Sequence, residues 1–450
     1  MTLSAGRGAR VPLRPDDLPR LDLADPRLHA ESDLTEVWRY LRDEEPAYWH
    51  QEPGRESGYW VITRYADVAG IYRDTVRFTS EHGNVLETLL AGADSAAGKM
   101  AAVTDGPHHA ELRGLMLKAF TPKALAPIVR SVRRVTGRLV EEAVLRGESD
   151  FATDVAARVP LAAICDLLDV PDADRAQILR LTSSALASPD GAPTQTDTWT
   201  AKSEILLYFA QLAESRRERP GDDLVSLLVR GRVGGRPLTG EEVVLNCYSL
   251  ILGGDETTRF SMIGGLRGLI ERPQAWAAVK SGRAAIETAV EEVLRWTTPT
   301  LHAGRTATQD ALIHGSFIEA GDKVTVWNVS ANRDERQFPD ADVFDPARTP
   351  NKHLTFAYGP HFCLGSYLAR AEIGAALEAL RTMVADGAGE GAGIESAGEP
   401  RPVYSNFLSG FSSLPVRLRM DPRYRPGTWA AQSDQASSET SAGSGCPVAH

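Results

Sequence analysis

The residue with the most chemistry in its surroundings is Cys363, inside the stretch Phe356 to Arg370, Phe-Ala-Tyr-Gly-Pro-His-Phe-Cys-Leu-Gly-Ser-Tyr-Leu-Ala-Arg. Upstream, Gly359 and Pro360 force an irregular loop, because glycine allows positive φ and proline removes a backbone donor. Downstream, Gly365 opens an apolar run from Tyr367 onward that predicts a helix, so the sulfur falls close to a helix N-terminus. Backbone N–H groups and the helix dipole there are expected to favour a thiolate, either as nucleophile or as metal ligand. A nucleophile needs a base, and His361, two residues away across a loop, is poorly placed to serve. A zinc site needs about four protein ligands, and no second cysteine lies nearby. A structural cysteine is the plain alternative, since free cysteines usually pack in cores.

An axial position on a heme iron asks for one thiolate alone. The stretch resembles the heme-binding loop of the cytochrome P450 family, Phe-Gly-x-Gly-x-His-x-Cys-x-Gly-x-x-Leu-Ala-Arg, matched at Phe356, Gly359, His361, Cys363, Gly365, Leu368, Ala369 and Arg370. Ala357 stands where the family usually has glycine, which is expected to alter only the local turn.

Two other stretches carry the resemblance in the same order. Gly253-Gly254-Asp255-Glu256-Thr257-Thr258 interrupts a long apolar helix, although two glycines there cost about 1 kcal/mol each relative to alanine. It matches the family's Ala/Gly-Gly-x-Asp/Glu-Thr-Thr motif. The resemblance implies that the missing side chains, Gly254 among them, leave room for dioxygen over the heme and that Glu256 and Thr257 relay protons to it. The plainer reading is a hydroxyl bonded back to the i−4 carbonyl, which merely bends the helix. Glu292 and Arg295 share a helical face and resemble the family's buried Glu-x-x-Arg pair behind the heme loop. For its usual further arginine, Arg348 is the candidate, because Val343 occupies one common place. His109 and Arg113, four apart on one face, resemble propionate ligands, as do Arg305 and His361. Phe356 is implied to border the cofactor. Gly106 stands where the family more often has a second proline.

Composition bounds the rest. At 450 residues with a formal charge of −11, the chain is no generic nucleic-acid binder. Its four cysteines are widely scattered, give no disulfide framework and suit a reducing cytosol. Met1 to Asp17 carries no apolar core for a signal or anchor. No dinucleotide fingerprint or cysteine cluster marks a fused redox module, so electrons are expected from separate proteins.

In chain order, residues 1–20 read as a flexible lead, Leu34 to Leu41 as a short helix, and Tyr59 to Thr63 as a strand pairing with Ala47 to His50. Glu81 to Thr104 reads by composition as a mobile loop, and the resemblance implies that it covers the substrate pocket. From Arg113 to Arg138 the residues Lys118, Lys123, Arg130, Arg133, Arg134 and Arg138 occur without an intervening carboxylate, either a solvated face or a docking patch for an acidic ferredoxin. Apolar helices continue through Leu161–Leu168 and Ile205–Leu212, separated by a loop from Ser183 to Thr200. Thr239-Gly240-Glu241-Glu242 is a capping box that launches a helix through Ile270. A helix from Ala285 to Trp296 follows, and His302 reads as a surface residue, with a place in the pocket as the alternative. Short strands, a turn-rich segment to Pro346, a helix to about Met383 and a hairpin from Ser405 to Val416 complete the body. Beyond Pro426 small residues dominate, predicting a disordered tail with an exposed Cys446.

The expectation is a mainly α fold with small β-sheets (α+β), the cytochrome P450 fold with a long central helix over the heme. It has a lead of residues 1–20, one domain over 21–420 and a tail over 421–450. The function implied is a cytoplasmic, monomeric heme-thiolate monooxygenase carrying heme b, fed from NAD(P)H through ferredoxin reductase and ferredoxin, with no membrane or nucleic-acid partner. Its substrate would be a small molecule of secondary metabolism, free or tethered to a carrier protein, and oxidative coupling is the alternative outcome to hydroxylation. A non-catalytic heme-thiolate binder would lack Glu256 and Thr257, and a cysteine hydrolase would need no heme.

Overall fold

The computed structural model describes residues 10–54, 57–186, 195–387 and 393–429, arranged around one helix. Gly240–Glu271 runs for 32 residues, about 48 Å at 1.5 Å per residue. Its start is the expected capping box: the Glu242 N–H donates to the Thr239 hydroxyl at 3.2 Å, and the Thr239 N–H donates to the Glu242 carboxylate at 2.7 Å. Buried residues line nearly its whole circumference, as expected of a helix hydrophobic on most sides. Helices Arg158–Leu168, Gln195–Glu218 and Ile286–Thr297 pack against it. Gly264 and Gly265 make the last contact close, since a Cβ on them would come within 2.6 Å of Thr297 and 2.8 Å of Val293.

Beside this helical mass lies a five-stranded sheet in the order Ala47–Gln51, Gly58–Ile62, Lys323–Trp327, His302–Ala307 and Phe78–Thr79. Gly58–Ile62 and Lys323–Trp327 run parallel and the other neighbours antiparallel. Glu148–Asp150, Pro415–Leu418 and Ile394–Ser396 form a smaller antiparallel sheet.

The architecture is mainly helical with small sheets, and it departs from the sequence expectations at several places. The stretch Glu81 to Thr104 contains the helix Leu86–Ala91, whose Leu86 and Leu89 are buried one turn apart. The expected loop from Ser183 to Thr200 is helical at both ends, in Asp172–Leu186 and Gln195–Glu218, and its middle lies outside the described residues. Ser405 to Val416 is not one hairpin. Phe411–Ser413 pairs with Arg401–Pro402, Pro415–Leu418 joins the smaller sheet, and Phe407 lends its carbonyl to the Leu301 N–H at 2.9 Å. His302 is fully buried, not on the surface, because it packs at a tilt against Trp327 and edge-on to Phe407 while its Nε2 donates to the Asn406 carbonyl.

Order also reaches past the expected domain edges. Val11–Pro12 pairs with Ser32–Asp33, Pro15–Arg20 is a 3-10 helix holding buried Leu18, and Trp429 donates its indole N–H to the Arg133 carbonyl at 3.0 Å. Residues 1–9 and 430–450, with Cys446, lie outside the described residues.

Between the sheet and Cys363 the chain from Asn332 to Asn351 has no regular ladder, so its polar groups must find other partners. Arg295 and Glu292 supply them. The guanidinium grips both Glu292 oxygens at 2.8 Å and donates to the carbonyls of Asn332, Ala341 and Val343. Glu292 in turn accepts from the Asp345 N–H and the Asn351 amide, and Arg348 pairs with it at 3.2 Å. Arg348 is thus the further arginine, and Val343 contributes its carbonyl only. Both members of the pair are fully buried. Glu292→Ala leaves Arg295 uncompensated and is expected to cost about 3–5 kcal/mol; urea unfolding that shows a loss below about 1 kcal/mol would refute the role of this network.

Candidate active site

The loop bearing Cys363 is shaped by two left-handed residues. Gly359 has φ +70, and a Cβ on it would meet the Tyr72 carbonyl at 2.8 Å, so only glycine fits against helix Tyr65–Arg73. Ala357 has φ +57, a conformation that costs an L-residue about 1–2 kcal/mol. The methyl group therefore adds strain at the turn. The Cys363 N–H closes the loop on the Phe356 carbonyl at 2.9 Å, and helix Ser366–Met383 begins three residues later. Phe356 is buried, edge-on to Phe362 and beneath the Arg370 guanidinium at 4.6 Å. Arg370 and His353 both bind Glu291, at 2.6 and 3.1 Å, tying the loop and its helix to Ile286–Thr297.

Cys363 is accessible yet lies among densely packed atoms, so the space it opens onto belongs to the interior. Burial raises its thiol above the ordinary value, opposed by the N–H groups of Gly365 and Ser366 and by Arg113 and Arg370. The N–H groups at the helix start favour the thiolate, as expected, but burial outweighs them. Ionisation here calls for a cation on the sulfur, and a coordinating metal removes the thiol proton outright.

Four cationic or imidazole side chains gather nearby. Arg113 donates to the Phe362 carbonyl, and His109 stacks on His361 with ring centres 4.3 Å apart. Arg305 lies over the Tyr72 ring at 5.4 Å with its Nε buried and unpartnered. Among the described residues, neither Arg113 nor Arg305 forms an ion pair with a carboxylate. Burial lowers the pKa of both guanidinium groups, and it lowers His109 to about 4 with help from His361 and Arg113. Groups buried in this way ask for an anion from outside the chain.

On the central helix, Gly253 is exposed in an otherwise buried turn, and a side chain built on it would meet nothing within 4 Å. Gly254, the expected cofactor neighbour, faces elsewhere: its Cβ would press on Ile164 of helix Arg158–Leu168 at 3.0 Å. Gly253 opens the space and Gly254 permits helix packing. The Thr257 hydroxyl donates back to the Gly253 carbonyl at 2.8 Å. Glu256 is buried and accepts from Arg259 at 2.9 Å and from Ser183 of helix Asp172–Leu186 at 3.0 Å. Asp255, with its pKa raised to about 7 by burial and by Glu256, accepts from the Thr182 hydroxyl at 2.6 Å.

The sequence reading missed Ser183, Arg259, Glu291 and Asp105, and of the glycine pair it named Gly254 and not Gly253 as the cofactor neighbour. Among the described residues no cluster of three or more His, Cys, Asp and Glu is arranged to hold a metal ion. A porphyrin fits the donor set: one accessible interior sulfur, an open side at Gly253 and two unpaired guanidinium groups for its carboxylates.

Comparison with known proteins agrees. The sequence model of the Cytochrome P450 family matches residues 284–380. The chain is 48% identical over 409 residues to cytochrome P450 NovI of Streptomyces niveus, covering 91% of this chain and 99% of that protein. It is 32% identical over 411 residues to linalool 8-monooxygenase of Pseudomonas putida, covering 89% and 99%. Among solved structures, P450 OxyD, which is involved in the biosynthesis of vancomycin-type antibiotics, is similar with a TM-score of 0.79 at 34% identity, covering 89% of this chain and 100% of that one.

Proposed function

The chain belongs to the cytochrome P450 family, and from that premise we propose that it is a heme-thiolate monooxygenase of a secondary-metabolite pathway, with Cys363 as the axial ligand of heme b. The observation that carries this reading is the accessible interior thiol of Cys363 next to guanidinium groups without counter-ions. Bound heme would supply dioxygen activation and insertion of one oxygen atom into a substrate C–H bond. The protein's part is to bind, orient and protonate. Arg113, Arg305, His109 and His361 would hold the two propionates, and Phe356 would border the ring. Gly253 leaves space on the distal side, where the Thr257 hydroxyl holds a proton at Oγ1. Glu256, oriented by Arg259 and Ser183, is the carboxylate through which that proton would be resupplied.

NovI and OxyD, as bacterial relatives, support a small organic substrate made in a biosynthetic pathway. Among the described residues no helix is long and apolar enough to cross a membrane. Electrons would come from NAD(P)H through a ferredoxin reductase and a ferredoxin. Lys118, Lys123, Arg130, Arg134 and Arg138 are exposed and form the candidate docking face, while Arg133 is half-buried. Arg138 is already paired with Glu142 at 2.9 Å, which leaves Lys118 and Lys123 better suited to meet an acidic partner.

Three outcomes check this reading. The reduced protein treated with carbon monoxide should show the red-shifted Soret band of thiolate-ligated heme, and Cys363→Ser should lose it; a wild-type protein without that band sinks the assignment. Thr257→Ala should lower product formed per electron on the order of 10-fold or more and release hydrogen peroxide instead; tight coupling in that variant would count against the relay. Lys118→Glu should slow reduction by a ferredoxin by about 10-fold at low ionic strength, with the difference closing in high salt, and an unchanged rate at low salt would remove the docking face.

A further inference from the structure

Asp105 stands at the N-cap of helix Gly106–Leu117, where an aspartate ordinarily accepts from the N–H of the second or third helical residue. Here it makes no such bond. The next residue, Gly106, takes φ +66, which a proline could not adopt, and the carboxylate is engaged elsewhere. One oxygen accepts from the Thr79 hydroxyl at 2.8 Å, the Ser80 N–H at 2.7 Å and the Ser80 hydroxyl at 3.1 Å. The other faces the His361 Nε2 at 2.8 Å. The side chain is nearly buried. Burial alone would raise its pKa, but His361, the Ser80 N–H and the Thr79 hydroxyl hold the carboxyl well below its usual range.

We infer that Asp105 is a positioning residue for the cofactor's carboxylate site, forgoing its helix-capping bond to fix the His361 ring. This rests on the reading above that His361 faces a heme propionate. A carboxylate at Nε2 makes that nitrogen the N–H donor and fixes the orientation of the ring against the loop. His109, stacked on the same ring, is located by it, and Asp105 also lies within electrostatic reach of Arg305. One anion therefore organises three of the four groups proposed to receive the propionates. Thr79 and Ser80, at and beside the edge strand Phe78–Thr79, hold it in place.

The test uses the heme-loaded protein and times heme transfer to a scavenging apoprotein, with the reduction potential measured alongside. Asp105→Ser keeps a good capping residue but cannot reach His361, so it separates helix capping from cofactor positioning. It should lose heme roughly 10-fold faster or more, the usual effect of removing a partner that orients a ligand, and its potential should move. In a His361→Phe background the same substitution should accelerate heme loss much less, the remainder reporting the longer-range pull of Asp105 on Arg305. Asp105→Asn, which keeps the shape without the charge, is the second variant should the serine protein not fold, and the same acceleration is expected of it. Wild-type heme loss and potential in these variants, or equal acceleration in both backgrounds, would overturn the inference. Loss of the thiolate Soret band in the wild type would instead overturn the functional reading itself.

Discussion

Arg305 is buried and Arg113 half-buried, neither has a carboxylate at ion-pair distance among the described residues, and this uncompensated charge constrains everything around them. Burying an unpaired ion costs several kcal/mol even after relaxation, a large share of the 5–15 kcal/mol that holds a typical domain together. The chain alone offers Arg305 a carbonyl and an aromatic face, and offers Arg113 a single carbonyl. Cys363 has the converse problem, since burial pushes its thiol away from the ionised form and a cation at the sulfur would reverse that. A ligand that is cationic at its centre and anionic at its rim answers both demands at once. Heme is such a ligand, and family membership makes it the expected one.

The framework holding these groups is built from two consecutive carboxylates on helix Ile286–Thr297. Glu292 turns toward Arg295, Arg348 and Asn351 and pins the irregular chain ahead of the cysteine loop. Glu291 turns toward Arg370 and His353 and pins the helix that follows the loop. Burial alone would raise the Glu291 pKa, yet the hydrogen bonds from His353 and Arg370 bring it down to about 2. The loop is thus braced on both sides from one turn of one helix. Its irregular backbone is fixed by side-chain ions where strands or helix ladders are missing.

What could be read in the sequence was whatever fixed spacing encodes. The residues from Phe356 to Arg370, the capping box at Thr239 and the Glu292–Arg295 pair each specify their own geometry within a few positions. Properties that depend on a distant neighbour were hidden. Which of Gly253 and Gly254 leaves open space beside the helix depends on Ile164, far away in sequence. His302 looked like a surface residue because nothing nearby predicts that Trp327 and Phe407 will enclose it. Ser183 sat in a polar stretch that composition marks as loop, yet the helix extends past it and its hydroxyl meets Glu256. Asp105 was legible as a helix start and illegible as anything else, because its partners Ser80 and His361 lie 25 and 256 positions away.

The acid and the hydroxyl expected to share a proton relay do not touch in this conformation, and the strengths of their present bonds indicate which must move. Thr257 is held only by its bond back to the Gly253 carbonyl, a neutral interaction with a net worth of about 1 kcal/mol. Glu256 is buried against Arg259 and Ser183, and taking a buried carboxylate from its cation costs about 3–5 kcal/mol. The hydroxyl is therefore the mobile partner and the carboxylate the fixed one. A rotation at Thr257 exchanges a local carbonyl for a ligand in the space beside Gly253 at little cost. Moving Glu256 would also disturb the contact that Ser183 brings from helix Asp172–Leu186. The pair works as a relay if the short side chain turns and the long one stays, which is the division of labour their hydrogen bonds favour.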